Sequence, residues 1–207
     1  MEFIDISLRI DGETVTYPGN PEPEIERYRK IPEDSTTESE VRIGSHTGTH
    51  VDAPEHVIED GESAENLEIE KFYGEAQVLD LTGCGEKVDR SDLENITIKK
   101  DIVLVKTENS EKGYEEFRRD FTYITLEAVK HMIQQEVSTV AIDYLSLTKF
   151  NGSERDHRAH RVANREMNVI EGVDLGGIEP GIYTFIGMPL KIKADGAPLR
   201  AVLLDEG

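Results

Sequence analysis

The chain has 207 residues, of which 37% are hydrophobic and 32% charged, and its net charge is −20. This length is sufficient for one domain, residues 1–207, with its own hydrophobic core. The negative charge argues against nucleic-acid binding through a basic surface, and no apolar run approaches the ~18 residues that would cross a membrane. The start of the chain does not resemble a signal peptide, and Cys84 is the single cysteine. We therefore expect a cytoplasmic protein with no nucleic-acid or membrane partner.

The first half of the chain is predicted to be rich in strands. Residues 3–10 alternate apolar and polar side chains, as a half-buried strand does. Residues 24–28 read as an edge strand and residues 76–81 as a further strand. Residues 101–107 are almost continuously apolar, which indicates an interior strand covered on both faces.

The second half contains a strand–helix–strand pattern. Thr125 is predicted to cap a helix whose apolar residues recur at spacings of three and four, and residues 139–143 form the next strand. Such a crossover implies an α/β core. Residues 182–187, 190–193 and 199–204 read as later strands, so we predict a mixed, β-rich α/β domain with a few covering helices.

Residues 108–123 are charged and carry scattered aromatic side chains. This segment reads either as a loop that borders a pocket or as an ordinary surface excursion pinned by its aromatic residues. The charged segment 144–166 has no predicted secondary structure.

The densest group of chemically active side chains lies in residues 45–56. His46, His50, Asp52 and His56 all occupy even positions, so an extended chain would place the first three on one face. The spacing of His46 and His50 also occurs in zinc-binding helices, but Gly48 and the neighbouring β-branched residues disfavour a helix. We predict a strand that bends near Gly48. A straight strand would separate the Cα atoms of His46 and His50 by about 13 Å, which is a long reach for two ligands of one metal ion.

Imidazole and carboxylate groups are the usual ligands of zinc and manganese. Three histidines and an aspartate in this arrangement predict a metal site, whereas the alternative is a polar strand whose histidines pair with neighbouring groups. Such a site needs further ligands, for which residues 155–160 and 167–172 are candidates. Within the latter, Glu171 ends an apolar run, an unusual position for a carboxylate unless it is paired; the alternative is an exposed glutamate beyond the end of a strand.

The motif His46-x-Gly48-Thr49-His50-x-Asp52-x-Pro54-x-His56 resembles the signature of the metal-dependent cyclase family, which includes bacterial kynurenine formamidase (arylformamidase) and isatin hydrolase. Residues 17–19 and 182–202 are similar to family members as well, with lower specificity. The resemblance implies the swivelling β/β/α fold of that family and a homodimer or tetramer.

The resemblance also implies a site of two divalent ions, zinc or alternatively manganese. In that site His46, His50 and Asp52 bind one ion. Asp52 bridges to a second ion, which His160 also binds, and Glu171 contacts both. The interval between His160 and Glu171 is eleven residues, one shorter than the family pattern, so His157 remains an alternative to His160.

In the same resemblance His56 is the general acid/base and Tyr17 lies against the substrate. The implied reaction is hydrolysis of a small-molecule amide, in which metal-bound hydroxide attacks the carbonyl and His56 returns a proton to the departing nitrogen. The alternatives are opening of a cyclic amide as by isatin hydrolase, a cyclase or dehydratase, and a catalytically silent metal-binding protein. The absence of tryptophan weakens the case for an aromatic substrate.

Overall fold

The computed structural model describes residues 1–205. Within this range its strands are β1 (Glu2–Asp5), β2 (Glu24–Arg29), β3 (Glu38–Arg42), β4 (His50–Asp52), β5 (Tyr73–Asp80), β6 (Lys87–Val88), β7 (Ile102–Lys106), β8 (Tyr123–Ile124), β9 (Thr139–Ile142), β10 (Asn168–Glu171), β11 (Gly181–Ile186), β12 (Gly196–Pro198) and β13 (Val202–Asp205). The α-helices are α1 (Arg90–Leu93), α2 (Glu108–Lys112), α3 (Leu126–Gln134) and α4 (Glu154–Glu166).

Nine strands form one sheet in the order β1-β13-β11-β5-β7-β9-β10-β4-β12. The four central strands, β5, β7, β9 and β10, run parallel, and the strands on either side pair antiparallel with them or with one another. Two short ribbons, β2–β3 and β6–β8, lie outside this sheet. The predicted α/β class, with a β-rich core and few helices, is confirmed.

Helices α1, α3 and α4 cover one face of the sheet. Val103 and Val105 of β7 point into this layer, where they pack in one buried cluster with Val129 and Met132 of α3. Each such aliphatic side chain contributes about 1.5–3 kcal/mol through its burial. As predicted, helix α3 begins after Thr125, whose hydroxyl accepts a hydrogen bond from the backbone N–H of Ala128.

The opposite face of the sheet is covered because the sheet curls. Ile102 and Leu104 of β7 share a buried cluster with Phe185 of β11 and Leu203 of β13. The prediction that strand 101–107 is covered on both faces is therefore confirmed. The segment after β1 helps to close the curled sheet. The backbone N–H of Ile6 donates a hydrogen bond to the carbonyl of Ala201, and the carbonyl of Ile6 accepts one from the N–H of Asp174.

Several elements differ from the predictions. Helix α4 and the short helix α2 were not predicted. Residues 190–193 do not form a strand, and β12 lies in the interval 194–198, where no strand was predicted. The alternating pattern of 190–193 was misleading because Leu190 and Ile192 are exposed, whereas Gly196–Pro198 is buried against β4.

No helix in the described range 1–205 is both long and apolar enough to cross a lipid bilayer.

Candidate metal centre and active site

Strand β4 carries His50 and Asp52 between two neighbouring strands, one of which supplies Glu171. On one side the antiparallel register with β10 pairs Glu171 with His50. On the other side β12 pairs Gly196 with Asp52. The register of three short strands therefore sets the positions of two carboxylates and one imidazole in the buried floor of the site.

The chain bends before β4, as predicted at Gly48. Gly48 has φ +65, and a Cβ at this position would lie 3.0 Å from Cγ1 of Ile10. Glycine therefore avoids both the strain of the left-handed conformation and a close contact. Thr49 holds the bend, since its hydroxyl donates to the carbonyl of Gly172 at 2.6 Å and accepts from the N–H of Leu8 at 2.8 Å.

The bend corrects one detail of the predicted geometry. His46 lies in a turn before the strand, not on a continuous extended face with His50 and Asp52. The turn folds the His46 ring back so that its Nδ1 is 2.9 Å from Oδ1 of Asp52. The centres of the His46 and His50 rings are 4.9 Å apart, and both rings face the same oxygen of Asp52.

The buried floor of the site brings nitrogen and carboxylate atoms together. Nε2 of His50 lies 3.5 Å from Oδ1 of Asp52 and 3.5 Å from Oε2 of Glu171. Nε2 of His160 lies 2.6 Å from Oδ2 of Asp52 and 3.8 Å from Oε1 of Glu171. The two oxygens of Asp52 thus face different histidines.

Both candidates for the second-half histidine lie on α4, which the sequence prediction missed. The helix directs His160 into the cluster of carboxylates. His157, one turn earlier, is exposed and lines the cleft above them. The structure thus brings His160, and not His157, to Asp52.

The arrangement fits a divalent cation. Nε2 of His50 and Oδ1 of Asp52 are buried and lack a hydrogen bond of regular geometry within the described residues. Nδ1 of His46 nevertheless lies 2.9 Å from Oδ1, and two carboxylate oxygens lie 3.5 Å from Nε2. Nδ1 of His50 is 2.9 Å from the carbonyl oxygen of Gly48, which leaves Nε2 as the atom free to coordinate. One ligand atom from each of His50, Asp52 and Glu171 lies within 4.8 Å of the others, as does one from each of His46, Asp52 and His56.

Without a cation, protons on the imidazoles balance the carboxylates. Burial lowers the pKa of His50, but the nearby carboxylates of Asp52 and Glu171 outweigh burial and raise the pKa to about 10. Burial raises the pKa of Asp52, but the imidazoles of His160, His46 and His50 outweigh burial and hold the pKa well below its usual range. The site therefore favours positive charge at its centre.

His56 ends a short 3-10 turn, Pro54–His56, and is about one-third exposed. Its ring centre lies 4.2 Å from that of His46, and its Nδ1 lies 3.4 Å from Oδ2 of Asp195. Sequence reasoning missed Asp195, which also lies 3.0 Å from Nε2 of His46. An Asp-Gly pair is a common turn signal, so nothing local distinguished Asp195 from an ordinary turn residue.

A cleft of about 390 Å³ opens above His46, His50 and Glu171 and is within the size range of small-molecule sites. Its lining includes Tyr17, His46, His50, His56, Lys149 and Glu171. Tyr17, predicted to lie against the substrate, packs its ring 5.1 Å from Phe117 and 5.7 Å from Phe150. The aromatic segment 108–123 therefore supports one wall of the cleft from behind.

Comparison with known proteins identifies the family. The sequence model of the putative cyclase family matches residues 4–149. The chain belongs to this cyclase family. The matched range contains Tyr17 and the motif from His46 to His56, and it ends before His160 and Glu171.

Relatives of this cyclase-family chain extend over nearly its whole length. Kynurenine formamidase of Salinibacter ruber is 30% identical over an alignment of 209 positions, which covers 99% of this chain and 98% of that protein. Kynurenine formamidase of Erythrobacter litoralis is 31% identical over 202 residues, 96% of this chain and 92% of that protein. The predicted resemblance is therefore confirmed.

Solved structures agree with this assignment. A potential metal-dependent hydrolase with cyclase activity superposes with a TM-score of 0.84 at 27% identity, covering 100% of this chain and 98% of that one. Isatin hydrolase A of Labrenzia aggregata superposes with a TM-score of 0.81 at 19% identity, covering 99% and 94%. The second likeness shows that the two proteins share a fold.

Proposed function

We propose that this chain is a metal-dependent hydrolase that cleaves the C–N bond of a small-molecule amide, with an N-formyl arylamide as the first candidate substrate. The observation that carries the proposal is a pair of buried atoms that lack a regular hydrogen bond, Nε2 of His50 and Oδ1 of Asp52, at the floor of a cleft that also holds His56. A buried cluster of this kind is suited to cation binding next to a substrate.

The chain is a hydrolase, as the sequence predicted. Its full-length relatives include kynurenine formamidases, and a structure described as a potential metal-dependent hydrolase covers the whole chain. We infer an arylformamidase-like reaction from these relatives, in which water adds to the formyl carbon and the amine departs.

The proposed metal ligands divide into two sets that share Asp52. His46, His50 and Asp52 would hold one ion, and Asp52 with His160 would hold a second, with Glu171 between them. The division is supported by the two oxygens of Asp52, since Oδ1 faces His46 and His50 while Oδ2 faces His160. Imidazole and carboxylate ligands suit zinc, with manganese as the alternative. A bound divalent ion supplies Lewis acidity and lowers the pKa of water.

His56 is proposed as the general acid/base. It lines the cleft and is partly exposed, so it can reach both a water molecule and a substrate nitrogen. It would take a proton from the attacking water and deliver a proton to the nitrogen as the C–N bond breaks. A positioned acid/base of this kind contributes roughly 10²–10⁴-fold to rate.

The wall of the cleft favours an aromatic substrate more than the composition suggested. Tyr17 presents a ring to the cleft, and Phe117 and Phe150 pack edge-on or tilted against it. Such a backed aromatic surface can pack against an aryl amide. Opening of a cyclic amide, as by isatin hydrolase, would use the same floor and wall.

The test begins with elemental analysis of the purified protein, followed by assays on an N-formyl arylamide, a cyclic aryl amide and a hydroxylated acid as a dehydratase substrate. We expect metal at up to two equivalents per chain and preferred turnover of the formyl amide. His131→Ala serves as a control, because His131 lies on α3 and does not line the cleft. A protein that binds metal but turns over none of these substrates would support the silent metal-binding alternative.

We further propose a homodimer or tetramer in the cytoplasm. The β2–β3 ribbon leaves Ile25, Tyr28 and Val41 exposed, and a two-stranded ribbon is marginally stable alone. Light scattering of the purified protein would give the oligomeric state, and a mass of one chain would contradict the proposal.

A further inference from the structure

We propose that Asp195 is a positioning residue whose single carboxylate orients two imidazoles, those of His46 and His56. The inference about His56 rests on the proposed function, because it assigns that ring its task in proton transfer. The inference about His46 concerns cation binding, and it can be tested without any substrate.

The contacts of Asp195 use both of its oxygens. Oδ2 lies 3.0 Å from Nε2 of His46 and 3.4 Å from Nδ1 of His56. Oδ1 accepts a hydrogen bond of 2.7 Å from the hydroxyl of Ser45. Ser45 therefore holds one oxygen, and the other oxygen faces both rings.

The sheet fixes the place of this carboxylate. The carbonyl of Asp195 accepts a hydrogen bond of 2.9 Å from the N–H of Ala53, and the next residue, Gly196, pairs with Asp52 in the β12–β4 ladder. A Cβ on Gly196 would lie 2.8 Å from Cε1 of His46. The backbone thus approaches the His46 ring as closely as glycine allows, although the Asp195 side chain itself is 46% exposed.

For His46, the consequence is a defined choice of ring nitrogen. Nδ1 faces Asp52, so Nδ1 is the atom available to a cation held by that carboxylate. Nε2 then keeps its proton and donates it to Asp195. A carboxylate behind a metal-binding imidazole fixes its tautomer and orientation, and its loss typically weakens metal affinity or activity by roughly 10–100-fold.

For His56, the same carboxylate selects the tautomer that acts as a base. Donation from Nδ1–H to Asp195 leaves Nε2 without a proton, on a ring that lines the cleft. An acidic partner behind a catalytic histidine plays this orienting part in hydrolases. Because both rings share Oδ2, replacing Asp195 should disturb cation binding and proton transfer together.

The test compares Asp195→Asn with Glu55→Gln, which removes one negative charge from the residue next to His56 in the same short turn. Metal-free proteins are titrated with zinc in competition with a chelating dye. We expect Asp195→Asn to bind zinc roughly 10–100-fold more weakly and Glu55→Gln to remain within about twofold of the original protein. Equal zinc affinities of Asp195→Asn and the original protein would overturn the part of the proposal that concerns His46.

The second readout is the imidazole tautomer in the zinc-loaded protein. Long-range ¹H–¹⁵N spectra, assigned with His56→Ala, should show the Nδ1–H form of His56 in the original protein and a shift toward the Nε2–H form in Asp195→Asn. An unchanged tautomer would overturn the part that concerns His56. With an active substrate, kcat should fall in Asp195→Asn while KM changes little.

Failure of the proposed function is distinguishable from failure of this inference. If no amide is hydrolysed, the zinc titration and the spectra still decide whether Asp195 orients the rings. If Asp195→Asn does not fold, Ser45→Ala replaces it, since freeing Oδ1 should shift both readouts in the same direction by a smaller amount. Unchanged readouts in Ser45→Ala would then overturn the proposal.

Discussion

Nε2 of His160 lies 2.6 Å from Oδ2 of Asp52, although the two residues are 108 positions apart in sequence. One belongs to helix α4 and the other to strand β4. The contact joins the two halves of the proposed metal site, and it depends on the packing of α4 against β10, the neighbour of β4.

The paired variants His160→Ala and His157→Ala test which histidine completes the site. His160→Ala should lower the metal content per chain, because it removes a nitrogen next to Asp52. His157→Ala should leave the content unchanged, because His157 is an exposed residue of the cleft. Elemental analysis of both proteins purified in parallel provides the measurement. The opposite pattern would transfer the role to His157.

Glu171 has a structural task that can be separated from metal binding. Its Oε1 accepts a hydrogen bond of 2.5 Å from the buried N–H of Leu147. Glu171→Gln can keep that acceptor, whereas Glu171→Ala leaves the N–H unpaired at a cost of about 1–3 kcal/mol.

We therefore expect both Glu171 variants to lose metal and only Glu171→Ala to lose this part of its metal-free stability. Urea unfolding of the metal-free proteins gives the comparison. Equal stabilities of the two variants would show that the Leu147 contact contributes little.

His56→Ala should separate catalysis from metal binding. We expect kcat to fall by roughly 10²–10⁴-fold with most of the metal retained, because the buried ligands remain. The structure also groups His56 with His46 and Asp52 at coordinating distance. A variant that loses its metal would therefore make His56 a ligand and leave the acid/base unassigned.

The stability of the metal-free protein should depend on pH above neutrality. The pKa of His50 is about 10 in the fold against an ordinary value of 6.5, so the folded state binds this proton more tightly than the unfolded state. The resulting stabilisation is fully present below pH 6.5 and is lost as the pH rises toward 10.

Urea unfolding of metal-free protein at intervals from pH 6.5 to 10 should therefore show a declining free energy of unfolding. His50→Gln, which cannot titrate there, should show a shallower decline. Zinc binding should strengthen over the same interval, because the metal displaces these protons. A flat stability profile in the original protein would show that the imidazoles are not charged in the metal-free fold.

Sequence reasoning succeeded where the chemistry or the apolar pattern was local. The motif from His46 to His56, the bend at Gly48 and helix α3 with its Thr125 cap all follow from neighbouring residues. The central strand β7 was predictable because both of its faces are apolar.

The missed elements depend on partners that are distant in sequence. Helix α4 buries mainly small side chains, Ala159 and Ala163, with Asn164, so it shows no large apolar residues at helical spacing. Asp195 gains its significance only when β12 pairs with β4 and places it beside two histidines. Neither the packing of α4 nor the position of Asp195 beside the two histidines can be inferred from neighbouring residues.

The position of β4 in the sheet has a consequence for biosynthesis. Both of its neighbours, β10 and β12, come from the last part of the chain. During synthesis from the N-terminus, His50 and Asp52 leave the ribosome long before the strands that hold them exist. The proposed ligands can therefore come together only after β10 has been synthesised and has paired with β4. A chain that stops before β12 would leave β4 as an open sheet edge that invites aggregation.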